Sequence, residues 1–310
     1  MKKTFGFVIL HYYAYNMTVE CVNNLLKLFS NDEIKIVIVD NGSKNNSGKK
    51  LFDLYSSENK VEVILNEKNL GFAQGNNIGY SYLINNYDLD FIIVMNNDVL
   101  INDTEFIYKI NEIYEEKKFA VLGPDIINPK LNIHQNPSYW YDSDYLYGRT
   151  YQYMLDRHNQ LIEEYKHLRF HLFYEKYRKV RRICFHWLRK FIPNKKPGRE
   201  FVKAPIDIEY QNAVLHGACY IFSKDFMQKR NEYAFNPNTF LYCEEDILHL
   251  ECKRDNLLLL YSPKIVVYHL EDISTNSVFK KKFDKEKMVM ENSIKSTQVF
   301  LDVFNNTSSK

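Results

Sequence analysis

The chain lacks several features that mark membrane, secreted and metal-thiolate proteins. Its 310 residues contain no run of about 18 apolar residues, so we expect no membrane-spanning helix. Its five cysteines form no CxxC pair and are odd in number, which argues against a zinc site and a disulfide framework. Reduced thiols are typical of the cytoplasm, and we therefore predict a cytoplasmic protein.

Basic residues are concentrated in one part of the chain, although the formal net charge is only +2. Residues Arg149–Arg199 contain 14 Lys and Arg but only 4 Asp and Glu, a balance of +10 that leaves −8 for the remainder. Apolar side chains recur there at helical steps, at Tyr165, Leu168, Leu172, Val180, Cys184, Trp187 and Phe191. Such a helix could lie on an anionic membrane surface, or pack on its own domain with a solvated basic face. Nucleic acid is the weaker alternative, because no nucleic-acid-binding motif appears.

Short apolar runs alternate with amphipathic segments over the first 125 residues. The runs "FGFVIL", "IKIVIV", "VEVIL" and "FIIVM" read as strands, and three longer segments between and after them read as helices. This pattern predicts an α/β fold with a mostly parallel sheet covered on both faces. Similar alternation resumes after the basic segment, and a last helix is predicted at about Lys281–Phe304. We therefore divide the chain into 1–135, a helical basic and aromatic insert at 136–203, a second half of the sheet at 204–275, and a C-terminal helix and tail at 276–310.

Polar clusters follow the predicted strands. They are His11-Tyr12-Tyr13, Asp40-Asn41-Gly42-Ser43, Asn66, and Asn96-Asn97-Asp98. In parallel sheets, ligands bind beyond the carboxyl ends of the strands. We therefore expect these clusters to meet in one crevice.

Two of the motifs at these strand ends permit both a binding and a structural interpretation. Asp40 could accept a hydrogen bond from a nucleobase or ribose, although Asp-Asn-Gly-Ser is also ordinary turn chemistry. In "NLGFAQGNNIG", Gly71, Gly75 and Gly79 recur every four residues, which permits close approach of a ligand or simple packing of a helix on the sheet. The motif lacks the Gly-Lys-Ser/Thr end of a P-loop and is not GxGxxG.

Acidic residues at two other places could take part in catalysis. Asp98 is a candidate ligand for Mg²⁺ or Mn²⁺, and His269 is a candidate second ligand or an ordinary strand-end histidine. Glu244, Glu245 and Asp246 stand together at a predicted helix start. The helix dipole stabilises acids there, but one of them could also act as a general base toward an acceptor hydroxyl.

Taken in order, these motifs resemble the family 2 glycosyltransferases of the GT-A fold, in particular a bacterial rhamnosyltransferase-like branch. The resemblance covers roughly residues 5–130 and 205–275. It is carried by "VILHYYAYNMTVECVNNLL", "VDNGS", "NLGFAQGNNIG", "MNNDV", "HGACYIFSKDFM" and "FLYCEEDIL". The chain departs from the family in three places. His11-Tyr12-Tyr13 replaces Asn-Tyr-Asn, "MNNDV" keeps one acid of the metal-binding DxD, and Glu245 replaces the Asp of a Glu-Asp pair.

The resemblance implies an inverting transfer of a sugar, with rhamnose as one candidate, from a dTDP- or UDP-type nucleoside-diphosphate donor. Glu245 would be the base, with Asp246 as second choice, and Asp98 and His269 would hold Mg²⁺ or Mn²⁺. The donor-binding residues would be His11, Tyr12, Asp40, Asn69, Gly71, Asn76, Asn97 and Asp98. The acceptor side would hold His216, Gly217 and Glu244.

The resemblance also implies partners and a place in the cell. The acceptor would be a glycan or lipid-linked oligosaccharide in bacterial surface polysaccharide synthesis. We expect peripheral contact with the inner face of the membrane through residues 149–199, no nucleic acid, and a possible homodimer.

Two other functions remain open from the sequence alone. A nucleotidyltransferase would use a similar sheet, but it should carry a Gly-rich, Arg- or Lys-bearing loop where this chain has "HYYAYNMT". A catalytically inactive glycosyltransferase-like scaffold is the other, and the presence of both Asp98 and Glu245 argues against it.

Overall fold

A computed structural model of the chain contains a mixed ten-stranded sheet with helices on both faces. It describes residues 3–137, 143–168, 206–271 and 282–308. The strands are β1 (Phe5–His11), β2 (Ile34–Asp40), β3 (Val61–Leu65), β4 (Phe91–Asn96), β5 (Val99–Leu100), β6 (Val121–Asn128), β7 (Ile133–His134), β8 (Tyr210–Gln211), β9 (Cys219–Ser223) and β10 (Leu259–His269). The helices are α1 (Tyr15–Leu28), α2 (Ser47–Tyr55), α3 (Gly71–Asn86), α4 (Phe106–Lys117), α5 (Ser143–Lys166), α6 (Lys224–Lys229), α7 (Glu244–Arg254) and α8 (Lys282–Ser308).

The main sheet has the strand order β3-β2-β1-β4-β9-β6-β10-β5. The pairs among β3, β2, β1 and β4 are parallel, as is the pair of β6 with β10. Strand β9 runs antiparallel to both of its neighbours, β4 and β6. The predicted segments 1–135 and 204–275 therefore contribute strands to one continuous sheet. The prediction of a mostly parallel α/β sheet is confirmed.

The two faces of the sheet bury different sets of apolar side chains. Phe5, Phe7 and Ile9 of β1 pack in the cluster under α1, α2 and α4. Val8 packs on the opposite face, in the cluster with α3, α6 and α7. Because the central strands are covered on both faces, they are continuously apolar rather than alternating.

Two of the regularly spaced glycines bring α3 close to the sheet. A Cβ at Gly79 would lie 2.5 Å from Val8, and one at Gly75 would lie 2.6 Å from Leu10. For these two positions, the packing interpretation of the four-residue spacing is correct. Gly71 differs from them, because it has a positive φ of 79° and approaches the backbone of Phe240.

Helices α5 and α8 pack against each other and against α7. Met154 of α5 and Phe300 of α8 share a buried cluster with Ile247 of α7. His158 Nδ1 lies 2.8 Å from Thr297 Oγ1 inside the same contact. The sequence prediction of a basic helix extends beyond residue 168, and that part of the prediction lies outside the described residues. Over the described ranges, every helix is too short or too polar to cross a membrane.

Candidate functional site

The polar clusters meet at one edge of the sheet, as expected. His11 pairs in register with Asp40 at the ends of β1 and β2. Antiparallel β9 begins at this edge, because Met95 pairs with Cys219 and the Asn96 N–H donates to the Ala218 carbonyl at 2.9 Å. The end of β10 joins them through the pairing of His269 with Val99. The edge therefore collects residues from both halves of the chain.

Asp40 is buried in a tight turn that leads into α2. Its side chain is only 5% exposed, and Oδ1 accepts the Ser43 N–H at 3.2 Å. Burial raises the pKa of this carboxyl, while the hydrogen bonds from Ser43 lower it. The first helical turn fits over the carboxylate only because residue 48 is glycine, since a Cβ there would lie 2.1 Å from Asp40 Oδ2. Turn formation and a binding role are compatible in this geometry.

A hydrogen-bonded loop links Asp40 to the start of α3. Asn41 donates from Nδ2 to Asn69 Oδ1 at 3.0 Å and to the Gly71 carbonyl at 2.9 Å, and its Oδ1 accepts the Leu70 N–H. Asn69 Oδ1 also accepts the Gly71 N–H at 2.8 Å. The next N–H, of Phe72, donates to the Phe240 carbonyl at 2.7 Å. The predicted donor side is thus connected to the segment that precedes the acidic helix.

His11 and Asn76 are buried beneath the crevice, and their predicted contact with a donor stays a prediction. The His11 ring is fully buried, and its nitrogens lie 2.7 Å from Thr18 Oγ1 and Ser47 Oγ, so that it joins α1 to α2. Burial lowers the pKa of His11 to about 4. Asn76 is 1% exposed and donates to the Phe72 carbonyl within α3.

Tyr12 and Asn97 lie nearer to the opening. Tyr12 is half-buried, and its ring meets that of Tyr13 edge-on at 4.5 Å between centroids. The Tyr13 N–H donates to Ser43 Oγ at 2.9 Å, so the pair stands beside the Asp40 turn. Asn97 donates from Nδ2 to Thr18 Oγ1 at 2.9 Å, which turns its amide nitrogen toward α1.

Asp98 and His269 face each other at the end of β10. His269 Nε2 lies 3.3 Å from Asp98 Oδ1, and both side chains are mostly buried. His269 Nδ1 lies 2.8 Å from Gln135 Oε1. Within the described ranges, no group of three or more His, Cys, Asp or Glu side chains is arranged to hold a metal. The candidate protein ligands are therefore two, a number suited to a cation that shares its coordination with substrate phosphates.

Helix α7 begins with its three acids, directly after two residues in left-handed backbone conformation, Tyr242 and Cys243. Non-glycine residues in this conformation are strained and concentrate at functional sites. Ser296 of α8 donates to the carbonyl that precedes them, Leu241 O, at 2.7 Å. The C-terminal helix thus holds the strained turn in place.

Glu245 reaches from α7 to the beginning of β9. The Gly217 N–H donates to its carboxylate, and a Cβ on Gly217 would lie 2.6 Å from Glu245 Oε1. Burial raises the pKa of Glu245, and the backbone hydrogen bonds lower it. Burial and the charge of Glu245 together raise the pKa of Asp246 to about 7.

Glu244 is the least exposed of the three acids at the start of α7. It is 5% exposed, and burial followed by the charge of Glu245 raises its pKa to about 8. Thr239 and the Tyr242 backbone hydrogen-bond its carboxylate, but Oε1 has no partner in the part of the chain that the structure describes. The prediction of an acceptor-side contact for Glu244 finds no support in this position.

One series of contacts joins Glu245 to the facing pair of Asp98 and His269. Glu245 touches Gly217, the adjacent His216 ring lies 5.8 Å from the His269 ring, and His269 faces Asp98. His216 Nδ1 accepts the Ala218 N–H at 3.1 Å, and burial lowers the pKa of His216 to about 4. The site therefore places the half-buried Glu245 carboxylate and the facing Asp98 and His269 side chains along one sheet edge.

The roles of three residues of this site are not predicted by the sequence. Asn41 belongs to a polar cluster expected at the crevice, but its motif does not show that it binds the start of α3. Phe240 contributes only its backbone carbonyl, which leaves no residue-type signal. Gln135 lies at a predicted segment boundary, and only its neighbour in space, His269, reveals its role.

Comparisons with known proteins bear on the family and the fold of the chain. The sequence profile described as Glycosyl transferase family 2 matches residues 7–183. "Glycosyltransferase GlyG" of Streptococcus pneumoniae serotype 4 is 28% identical over 123 residues, which are 40% of this chain and 39% of that protein. The match thus spans well under half of the relative's length.

Two solved structures are similar to the chain. Mannosyltransferase PcManGT from Pyrobaculum calidifontis, in complex with GDP-Man and Mn²⁺, matches with a TM-score of 0.50 at 8% identity, covering 100% of this chain and 75% of that chain. TarS 1–349 of S. aureus matches with a TM-score of 0.49 at 13% identity, covering 99% of this chain and 71% of that chain. At these identities the likeness to the mannosyltransferase concerns the fold alone.

Proposed function

The chain belongs to glycosyl transferase family 2 and has the GT-A fold, and we propose that it transfers a sugar from a nucleoside-diphosphate donor to an acceptor hydroxyl with inversion. The observation that carries the proposal is the series of contacts from Glu245 through Gly217, His216 and His269 to Asp98. It gives one crevice a proton acceptor at one end and a diphosphate-binding position at the other.

Glu245 is the proposed general base. It accepts the proton of the acceptor hydroxyl while that oxygen forms a bond to the anomeric carbon. The bond from the anomeric carbon to the diphosphate oxygen breaks on the opposite face, and the nucleoside diphosphate leaves with the electron pair. Because a raised pKa makes a carboxylate a better proton acceptor near neutral pH, the burial of Glu245 favours this role.

Asp98 and His269 are the proposed ligands of Mg²⁺ or Mn²⁺. The carboxylate oxygen and the ring nitrogen are 3.3 Å apart, a separation that two ligands of one small cation can adopt. A divalent cation bound there supplies neutralisation of the charge that develops on the leaving diphosphate. Asp98 follows β4 and His269 ends β10, so together they would hold the cation at the carboxyl ends of these two strands.

The donor base and ribose are proposed to lie over Asp40, beside Tyr12. The tyrosine ring offers a stacking surface, and the Asp40 carboxylate offers an acceptor. We infer a dTDP- or UDP-type sugar, with rhamnose as the candidate that follows from the branch resemblance. The mannosyltransferase of similar fold is described with GDP-Man and Mn²⁺. A thermal-shift screen of dTDP-, UDP- and GDP-sugars with each metal tests this assignment, and stabilisation by GDP-mannose alone would contradict it.

The acceptor is proposed to be a glycan or lipid-linked oligosaccharide used in bacterial surface polysaccharide synthesis. A cytoplasmic protein that meets the inner face of the membrane through residues 149–199 would suit such an acceptor, because this segment carries a balance of +10. Liposome flotation with and without anionic lipid tests this surface. Absence of binding at low salt would contradict it.

The variant Glu245→Gln tests the catalytic assignment. It keeps the size of the side chain but removes the proton acceptor, so we expect donor binding to persist while transfer falls by about 10²- to 10⁴-fold. Asp246→Asn is the matched control, since it makes the same change one residue further along α7. Near wild-type transfer by Glu245→Gln together with an inactive Asp246→Asn would assign the base to Asp246.

A further inference from the structure

The His269 ring belongs to a chain of side-chain hydrogen bonds that ends in a rigid turn. His269 Nδ1 lies 2.8 Å from Gln135 Oε1, and Gln135 Nε2 donates to Glu271 Oε1 at 2.6 Å. The other carboxylate oxygen, Glu271 Oε2, accepts from Asn128 Nδ2 at 2.9 Å. Asn128 Oδ1 in turn accepts the backbone N–H groups of Lys130 and Leu131, each at 3.0 Å.

The direction of every bond in this chain follows from its anchored end. Two backbone N–H groups require an acceptor at Asn128, so its Nδ2 must face Glu271. Both Glu271 oxygens are acceptors, so Gln135 must present Nε2 to Glu271 and Oε1 to His269. Because Gln135 Oε1 can only accept, His269 Nδ1 carries a proton and donates it to that oxygen. Nε2 is the ring nitrogen left for a cation, and it lies 3.3 Å from Asp98 Oδ1.

An imidazole binds a metal through the nitrogen that carries no proton, and a partner on the other nitrogen fixes both the tautomer and the ring orientation. We propose that Gln135, held by Glu271 and Asn128, is the positioning residue that prepares His269 Nε2 to ligate the divalent cation shared with Asp98. This inference rests on the proposed metal site and adds residues that do not touch the metal themselves.

The neighbouring residue positions the second histidine of the site. Asn136 Oδ1 accepts the His216 N–H at 3.0 Å, and Asn136 Nδ2 donates to the Pro124 carbonyl at 2.7 Å. Two consecutive amides after β7 thus hold His269 by its ring and His216 by its backbone. The segment after β7 is a scaffold for this end of the site.

The test is direct measurement of Mn²⁺ binding by electron paramagnetic resonance, with and without UDP. Gln135→Met keeps the length of the side chain and removes the acceptor for His269 Nδ1, so we expect Mn²⁺ affinity to fall about 10- to 100-fold. Gln74→Met is the control for the substitution itself, because Gln74 is exposed on α3 and the variant loses one hydrogen bond, to the Pro237 carbonyl, where Gln135→Met loses two. We expect wild-type affinity for Gln74→Met.

A double variant separates positioning from a general loss of structure. Gln135→Glu/Glu271→Gln reverses the donor and acceptor of one bond but still offers an oxygen to His269 Nδ1 and an oxygen to Asn128 Nδ2. We expect it to restore Mn²⁺ affinity to within about threefold of wild type. If Gln135→Met binds Mn²⁺ as tightly as wild type, or the double variant binds as weakly as Gln135→Met, the positioning inference is wrong.

Two further variants distinguish failure of this inference from failure of the metal site. Asp98→Asn and His269→Ala should abolish Mn²⁺ binding. If they do so while Gln135→Met has no effect, only the role of Gln135 is refuted. If Mn²⁺ binding survives in Asp98→Asn and His269→Ala, both the proposed metal site and the positioning inference are overturned.

Discussion

Replacing Gly217 by alanine should displace the proposed base without changing its chemistry. A Cβ at this position would lie 2.6 Å from Glu245 Oε1, whereas ordinary contact begins at about 3.4 Å. The carboxylate must therefore withdraw by about 0.8 Å, or β9 must shift by a similar amount. Strand β9 is hydrogen-bonded on both sides, so we expect the side chain to move.

The size of the effect follows from the sensitivity of catalysis to position. A displacement of about 1 Å commonly costs about 10²-fold in rate, because the reacting atoms leave their productive alignment. We expect Gly217→Ala to lower kcat by roughly 10- to 100-fold, or about 1.4 to 2.7 kcal/mol in the activation barrier. The proposed donor position lies at the other end of the crevice, so the Kd of the donor should change little. Steady-state transfer rates and calorimetric binding of the donor measure the two quantities separately.

Gly6→Ala is the matched control for this substitution. A Cβ at Gly6 would meet Leu89 Cδ1 at 2.7 Å and Leu83 Cδ1 at 2.8 Å, near the opposite end of β1 from the crevice. These methyl groups can move, so a modest loss of stability with unchanged kcat is expected. Wild-type kcat in Gly217→Ala, alongside an inactive Glu245→Gln, would refute the geometry from which the prediction is drawn.

Three further predictions concern stability, each measured by urea unfolding. Gly71→Ala should cost about 2 to 4 kcal/mol, because the residue has a φ of 79° and a Cβ would lie 2.1 Å from the Phe240 carbonyl; an unchanged midpoint would contradict it. Glu244 has a folded pKa of about 8 against an ordinary 4.5, so wild type should lose stability as the pH rises from about 4.5 through 8. Glu244→Gln should remove this loss, and its free energy of unfolding at pH 9 should exceed that of wild type by up to about 5 kcal/mol, whereas parallel pH curves would refute the prediction. Glu251→Ala removes the 2.6 Å partner of the buried Arg230 guanidinium, which keeps Asp255 at 2.7 Å, and should cost about 1.5 to 3 kcal/mol; an unchanged midpoint would exclude this account.

The first part of the sheet is predictable because its signals are local. Strand β3 has the predicted bounds, and β1, β2 and β4 each extend the prediction by a single residue, because apolar runs of five or six residues are bounded by polar turns. Helix α4 begins at Phe106 rather than Asp103, since Asp103 instead accepts the Glu105 N–H before the helix.

Strand β6 is absent from the sequence prediction for a physical reason. It contains Gly123 and Pro124, and proline in a central strand normally argues against that assignment. The structure tolerates it because β9 pairs only with Val121 and Leu122, and the register with β10 shifts between Ser262 and Val266 beside the proline. Helix α2 is likewise absent from the prediction, since it spans only nine residues and its N-cap makes no side-chain hydrogen bond.

The site divides in the same way between local and long-range information. The sequence singles out Asp98 and His269 by residue type and strand-end position, and Glu245 by its place in an acidic helix start. The sequence does not reveal which of the neighbouring polar residues face inward, because the burial of His11 depends on the packing of α1 against α2. The sequence separation of Gln135 from His269 likewise conceals a contact that exists only in the folded sheet.

The position of β9 has a consequence for how the protein forms during synthesis. Strands β4 and β6 are complete by residue 128, but the strand that lies between them is not made until residues 219–223. At about 5 to 20 residues per second, the two strands would wait roughly 5 to 20 seconds on the ribosome with unpaired edges. Exposed edges invite pairing with other chains, so a nascent chain halted within 129–218 should be prone to aggregation. Residues 216–269 of the crevice can take their places only after this insertion, which makes catalytic competence one of the last properties the growing chain acquires.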